Sequence, residues 1–380
     1  MTTRWIDAAF VRGGTSNGLF FDASALPDDK REWDVIFSAA LGSPDPFGRQ
    51  LDGMGGGISS LSKVMIVAPS DRADTDIDYT FGQVSVTDTV VDYSANCGNL
   101  TSGVVPFALL TGMISVPDGP QSFRLRNTNT GKLVVVNLTV EDGQAAVTGE
   151  LVIPGVSGAG APIELVMLDP GGSRTSGLLP TGQVTDKLDV DGQFFEVSLV
   201  DATVPLVIVS AHQIGLDGTE TPDKLEANTK CMTLLDKLRR QGAVKMGLTD
   251  HPDSAPLAVP KIAVVATPAP STLIDGTTVN GSDIDVLVRM ISMERAHKAV
   301  PGTGAMCLAA AARIPETVVA RILDRKSAVP GALKLGTPSG VVTASAVSRH
   351  NDVNLVQASL FRTARVMMRG QVAVELPPAA

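Results

Sequence analysis

Two apolar runs of strand length each open on a lysine: Ser62-Lys63-Val64-Met65-Ile66-Val67-Ala68-Pro69 and Pro260-Lys261-Ile262-Ala263-Val264-Val265-Ala266. A short, continuous apolar run of this kind predicts a buried strand, here entered through a charge. Asp-Ile-Asp comes next in both places, at Asp76-Ile77-Asp78 and Asp283-Ile284-Asp285, and leads into a second strand-like run, Phe81 to Val86 and Val286 to Met293. Each half then reaches a turn of small residues and an apolar helix. In the first half the turn is Asn96-Cys97-Gly98-Asn99 before Leu100 to Leu110; in the second it is Gly302-Thr303-Gly304 before Ala305 to Ile314.

Corresponding positions are nearly evenly offset, 207 residues from Asp76 to Asp283, 206 from Cys97 to Thr303 and 198 from Lys63 to Lys261. An insertion around Pro268 to Gly281 absorbs the difference. The shared order predicts a duplicated strand-strand-helix unit. Two copies are too few for a solenoid, so two similar domains facing each other are expected. The boundary is placed around residues 183 to 190, after the turn Leu179-Pro180-Thr181-Gly182. The domains are then 1–186 and 187–369, and a final strand near Gln371 to Leu376, within 370–380, is able to complete either one. Lys224 to Gln241 predicts an exposed helix carrying Cys231, with the basic run Lys237-Leu238-Arg239-Arg240 as a solvated face.

A chain of 380 residues with 44% hydrophobic content is long enough for two cores. With 37 glycines, 24 prolines and only 4% aromatic residues, it favours many short strands packed through Val, Ile, Leu and Ala. The net charge of -9 and pI near 5.0 argue against a nucleic-acid or anionic-membrane partner, each of which needs a basic face. Three cysteines form neither a disulfide framework nor a metal-ligand pattern, which points to a reducing cytoplasm. There is no apolar run of about 18 residues and no targeting segment at Met1-Thr2-Thr3-Arg4-Trp5.

Cys97 is the first candidate for chemistry, because a helix start offers free N–H groups and the positive end of the dipole to a thiolate. Cys307 lies inside the second apolar helix, where packing is expected. Lys63 comes after the glycine-serine segment Asp52 to Ser62. This is no Walker loop, since Ser62 precedes the lysine and Val64 comes directly after it. Free N–H groups and hydroxyls there nonetheless suit a carboxylate. The lysine itself is either an edge charge or a base whose pKa burial lowers. Arg12-Gly13-Gly14-Thr15-Ser16-Asn17-Gly18 lacks dinucleotide-site spacing and reads as a turn with one anion-binding arginine. His212, His251, His297 and His350 form no metal pair, and only His297 is close in sequence to the second turn.

Taken together, Arg12 to Gly18, Gly42-Ser43-Pro44-Asp45, Asp52 to Lys63, Asp78-Tyr79, Asn96 to Asn99, Leu179 to Gly182, Gly215-Leu216 with Gly218, His297 to Gly304 and Arg362-Thr363-Ala364-Arg365 resemble the 2-methylaconitate cis-trans isomerase (PrpF) family, on the diaminopimelate epimerase-like fold. The resemblance implies an α+β chain of two pseudo-symmetric domains, each a β-barrel-like sheet wrapped around a central helix, with the active site in the cleft between them. It implies isomerisation of an unsaturated di- or tricarboxylate without cofactor or metal, Lys63 and Cys97 being catalytic. Arg12, Ser16, Ser60, Ser62, Gly98, Asn99, His297, Gly302, Thr303 and Gly304 are the candidates for binding substrate. A homodimer is compatible with this reading. Three departures from the family stand out: Asn17 in place of a common lysine, Thr337 in place of a common histidine, and Thr303 at the place taken as cysteine in two-thiol epimerases. The expected reaction is an allylic proton shift through a dienolate. The competing readings are an amino-acid racemase on the same fold and a catalytically silent metabolite-binding protein.

Overall fold

The structure is a computed structural model that describes residues 2–94, 96–323, 332–348 and 355–376; His350 and positions 377–380 of the expected final strand lie outside them. It divides into two compact units, Met1–Leu165 with Arg362–Ala380, and Val166–Phe361. The turn Leu179 to Gly182 falls within the second unit.

The first unit begins with β1 (Thr2–Gly13) and β2 (Ser16–Asp22), an antiparallel hairpin closed at Gly13 opposite Ser16. After helix α1 (Trp33–Leu41), β3 (Lys63–Pro69) lies parallel to β2 and antiparallel to β4 (Ile77–Val84). The two-residue strand β5 (Val91–Asp92) pairs back onto β4, and the short helix α2 (Gly98–Thr101) leads into α3 (Val104–Thr111). Strand β6 (Gly119–Asn127) runs parallel to β4, and β7 (Leu133–Glu141) antiparallel to β6. The C-terminal strand Ala364–Leu376 pairs with β1 along its whole length, from Gly13 opposite Ala364 to Thr2 opposite Leu376.

The second unit repeats this plan. Gln193–Asp201 and Pro205–Ser210 form the hairpin, Lys261–Ala266 runs parallel to the latter and antiparallel to Val286–Ser292, Ala332–Thr337 is parallel to Val286–Ser292, and Gly340–Ser348 is antiparallel to Ala332–Thr337. The pairing sequence is the same in both units: antiparallel, parallel, antiparallel, parallel, antiparallel. An outer helix falls between the second and third strands of each, α1 in one and Thr229–Lys245 in the other. A buried helix comes after the fourth, α2–α3 in one and Gly302–Arg313 in the other. The insertion around Pro268 to Gly281 is a small hairpin, Ser271–Thr272 with Thr278–Val279. Duplication therefore extends from the strand-strand-helix core to the whole unit.

Side-chain parity explains the layering. Leu19 and Phe21 of β2 and Val64 and Ile66 of β3 share one core with Trp33, Ile36, Phe37 and Leu41 of α1. Successive strand residues point to opposite faces, so Phe20, Lys63 and Met65 face the other way. There Phe20 meets Phe107 of α3, ring centroids 5.7 Å apart. Val104 to Leu109 are all buried, six consecutive residues that cover more than the full circumference of a helix. A helix apolar all round has to be enclosed on every side. Gly302 to Ala311 are buried in the same way in the second unit. The helix Thr229–Lys245 is amphipathic rather than wholly solvated: Cys231, Leu235, Leu238 and Arg239 are buried, and Arg239 donates to the Pro256 carbonyl at 2.7 Å. Its basic run is thus split between the core and the surface. No helix of the described residues is long and apolar enough to cross a membrane.

Because Phe107 fills the space enclosed by the first sheet, Phe107→Ala is expected to cost about 3–5 kcal/mol of unfolding free energy, read from urea denaturation midpoints.

Candidate active site

Lys63 opens β3 on the sheet face turned toward the enclosed helix. Gly18 on the neighbouring strand makes this possible, because a Cβ at Gly18 would lie 2.3 Å from the Lys63 carbonyl oxygen. The amine sits 5.0 Å above the ring of Phe81 and donates to Gln83 Oε1 at 2.5 Å. Phe81 and Gln83 are on β4, and Gln83 is the residue directly opposite Lys63 in the register. With only 8% of its surface exposed, the amine is pushed by burial below the ordinary lysine value of 10.5, while charge on Cys97 acts in the opposite direction. A lysine whose proton affinity is lowered in this way is better suited than a solvated one to act as a base.

Cys97 caps the start of α2 with an extended backbone, and its carbonyl accepts from Thr101 N at 3.0 Å and from Thr101 Oγ1 at 2.9 Å. The preceding Asn96 is held through Oδ1 by the buried Tyr79 hydroxyl at 3.3 Å and by Asn127 Nδ2 at 3.5 Å. Burial raises the Tyr79 phenol well above its ordinary value, so it stays a neutral donor. The thiol residue is partly exposed, unlike Cys231 and Cys307, which are buried. Burial pushes the Cys307 thiol far up, as expected for a packing residue.

Arg362 is the second cation within electrostatic reach of Cys97. It is 2% exposed, its Nε donates to Asn99 Oδ1 at 2.9 Å, and burial pulls its guanidinium down to about 10 against the opposing effect of Cys97. Asn99 spends the other end of its amide on Thr15 Oγ1 at 2.9 Å, with Ser16 Oγ at 3.5 Å. Gly14 brings the hairpin this close: its φ is +50°, and a Cβ there would lie 2.5 Å from Asn99 Oδ1.

The structure thus brings Lys63, Cys97, Gly98, Asn99 and Ser16 together in the first unit and reassigns several expected ligands. Ser62 is fully buried, donating to the Val84 carbonyl at 2.9 Å and accepting from Gln50 Nε2 at 2.8 Å, so its hydroxyl braces the glycine-serine segment and is not presented to a ligand. Arg12 directs Nη1 at the carbonyls of Gly14 and Thr363 and at Thr363 Oγ1, bolting the hairpin to the C-terminal strand. Asn99, with both ends of its side chain engaged, acts as a bracket between Thr15 and Arg362. Ser60 is half-buried, and its carbonyl accepts from Asn17 N at 3.1 Å. Gln83 carries no signal in the sequence, and Tyr79 enters there only as part of the Asp78-Tyr79 motif. Gln83 becomes visible only once the strand register is known, and Arg362 only as part of the Arg362-Thr363-Ala364-Arg365 motif.

In the second unit, Gly302, Thr303 and Gly304 form the first turn of the helix Gly302–Arg313, whose N-cap is Pro301. Matching caps aligns Pro301 with Cys97, Gly302 with Gly98 and Thr303 with Asn99. Proline, and not Thr303, therefore stands where a second thiol would be. Thr303 is buried, and its carbonyl accepts from Thr203 Oγ1 at 2.8 Å. His297 accepts at Nδ1 from Ala299 N at 3.0 Å, which places the proton of the neutral ring on Nε2. Lys261 matches Lys63 in strand and face but donates to Ser292 Oγ at 2.9 Å and to the Ala258 carbonyl at 3.1 Å. Among the described residues no group of three His, Cys, Asp or Glu side chains is placed to hold a metal ion.

The family model described as PrpF protein matches residues 3–375. The chain belongs to the PrpF family. Among its curated relatives, 3-methylitaconate isomerase of Eubacterium barkeri is 38% identical over 97% of both chains. The 2-methyl-aconitate isomerase of Shewanella oneidensis is 36% identical over 98% of this PrpF chain and 97% of that protein. A crystal structure of methylitaconate-delta-isomerase superposes with a TM-score of 0.84 at 37% identity, covering 99% of this chain and 97% of the other. A hydroxyproline epimerase from Agrobacterium vitis, 14% identical with a TM-score of 0.56 over 98% of this chain and 94% of its own, shares the fold. The family member described here is accordingly an α+β protein of diaminopimelate epimerase-like architecture.

Burying Lys63 carries a stability cost with a definite sign. Its folded pKa lies below 10.5, so the unfolded chain binds the proton more readily and stability rises with pH between the depressed value and 10.5. Lys63→Met is expected to be more stable than the parent near neutral pH and to lose that advantage as pH approaches 10.5, measured as urea midpoints across the range.

Proposed function

We propose that this chain is an isomerase of an unsaturated di- or tricarboxylate, of the 2-methylaconitate, aconitate, methylitaconate or oxalomesaconate type, and that it works by allylic proton transfer between Lys63 and Cys97. The observation that carries the reading is a buried amine within electrostatic reach of a partly exposed thiol at a helix cap in one unit. The names of the relatives at 36–38% identity support the substrate class.

In the proposed cycle the neutral Lys63 amine removes a proton from carbon next to the double bond, leaving ammonium and a dienolate delocalised into a carboxylate. The Cys97 thiol then returns a proton at the far end of the allylic system and becomes thiolate. Movement of the proton from ammonium to thiolate restores the starting pair. Attraction between the two charged forms is the effect by which Cys97 opposes the loss of the proton from Lys63. The first N–H groups of a helix have no intrahelical acceptor, and those of Gly98 and Asn99 are the candidate donors to the enolate oxygens. Arg362, buried and bonded to Asn99, supplies positive potential.

A two-thiol racemase is the weaker reading, because the cap matching Cys97 is Pro301 and the two remaining cysteines are buried in helices.

Incubation with 2-methylaconitate or methylitaconate in D₂O is expected to place deuterium in recovered substrate or product, seen by proton NMR. Lys63→Ala and Cys97→Ser should each lower kcat by about 10²–10⁴-fold. Turnover at the parent rate in both variants would reject the assignment.

A further inference from the structure

Gln83 is bound on three sides in a way that leaves it only one orientation. Its side-chain nitrogen lies 2.8 Å from the carbonyl oxygen of Ser62 and 3.1 Å from that of Ser59, and its side-chain oxygen lies 2.5 Å from the Lys63 amine. A carbonyl oxygen can only accept, so the two backbone carbonyls fix the NH₂ end and oblige Oε1 to face the lysine. A neutral primary amine has two hydrogens and one lone pair. Facing an acceptor, it must present a hydrogen to Gln83, and its lone pair is turned elsewhere. A flipped amide would do the opposite and occupy the lone pair that a base needs. The two carbonyls come from the end of the glycine-serine segment, which is itself fixed by Gln50: Nε2 donates to Ser43 Oγ and Ser62 Oγ, both at 2.8 Å, and Oε1 accepts from Gly57 N at 2.9 Å.

We propose that Gln83 is a positioning residue that keeps the lone pair of the Lys63 amine directed away from β4 and free to take a proton. The inference rests on Lys63 being the base of the proposed reaction. An amide is also the right partner in charge: a carboxylate at this position would stabilise ammonium, whereas the amide accepts a hydrogen bond without adding a counter-charge. The titratable group acting on Lys63 is Cys97, at the cap of α2, which acts likewise on Tyr79 of β4 and on Arg362, the last residue of the strand Leu355–Arg362. Phe81 covers the amine with a neutral ring. The glycine-serine segment Asp52 to Ser62 is therefore the clamp behind the proposed base.

Two variants and two measurements test this. In Gln83→Glu the titration midpoint of Lys63, followed by its Cε carbon in NMR and assigned by loss of the signal in Lys63→Met, is expected to rise by a unit or more (about tenfold in proton affinity). The acid limb of the kcat/KM profile should move up with it. In Gln83→Met, which keeps the bulk and removes the acceptor, kcat is expected to fall about tenfold or more with KM within twofold of the parent. An unchanged midpoint in folded Gln83→Glu, or parent kcat in Gln83→Met, overturns the proposal. If Gln83→Glu does not fold, Gln83→Met decides alone. Should the parent turn over none of the polycarboxylates, the proposed function fails, while the NMR midpoint still reports whether Gln83 governs the amine.

Discussion

A helix that is apolar on every side can exist in water only inside something, and both halves of this chain are built to meet that demand. The stretch from Val104 to Leu109 has no polar face to offer solvent, and neither has the run from Gly302 to Ala311. Each sheet curls round its helix with strands that alternate parallel and antiparallel pairing in the same order. Much of the remaining arrangement is a consequence. The helix must enter its enclosure from one end, and the residues at that end have N–H groups without intrahelical partners. The strand faces turned toward the helix must be apolar except where they pass its starting end, and that is where Lys63 lies.

The same constraint explains why the proposed catalytic pair resides in so apolar a neighbourhood. Lys63 faces inward at the first residue of its strand, so its amine is buried without being lost among aliphatic side chains. Cys97 comes one residue before the helix begins, so its thiol remains partly open. Tyr79, Asn96, Thr101 and Asn127 tie down the loop between them, and Asn99 with Arg362 ties down the hairpin on the other side. Polar groups that would be a liability singly are satisfied as a network. The second unit uses the same frame with different groups at the matching positions: Lys261 donates to Ser292 and a backbone carbonyl, and proline takes the cap.

Features governed by local pattern were legible in the amino-acid sequence. The lysine-led strands, the small-residue turns and the apolar helices are periodic features, and their common order disclosed the duplication. Asn96-Cys97-Gly98-Asn99 marked a helix start because capping is a short-range property. Features that depend on register and on contacts distant in sequence stayed hidden. Ser62 and Asn99 carry the right groups for a carboxylate, but only the fold shows those groups engaged by Gln50, Val84, Thr15 and Arg362. Aligning the halves by spacing set Thr303 against Cys97; aligning them by helix caps sets Pro301 there, because a two-residue slip is invisible when the insertions are unknown. Gln83 is twenty residues from Lys63 and meets it only through the pairing of β3 with β4.

The C-terminal strand has a bearing on how the chain is made. Its thirteen residues lie along the whole of β1, so the sheet that starts with Thr2 is finished by residues 364 to 376. A ribosome adds roughly 5–20 residues per second, and the second unit, about two hundred residues long, has to be synthesised in between. For some tens of seconds of every round of translation, the first unit therefore waits with an open edge along β1, a template on which a neighbouring nascent chain can pair. The strand Ala364–Leu376, made after the second unit, is the one that closes the edge of the first-made half.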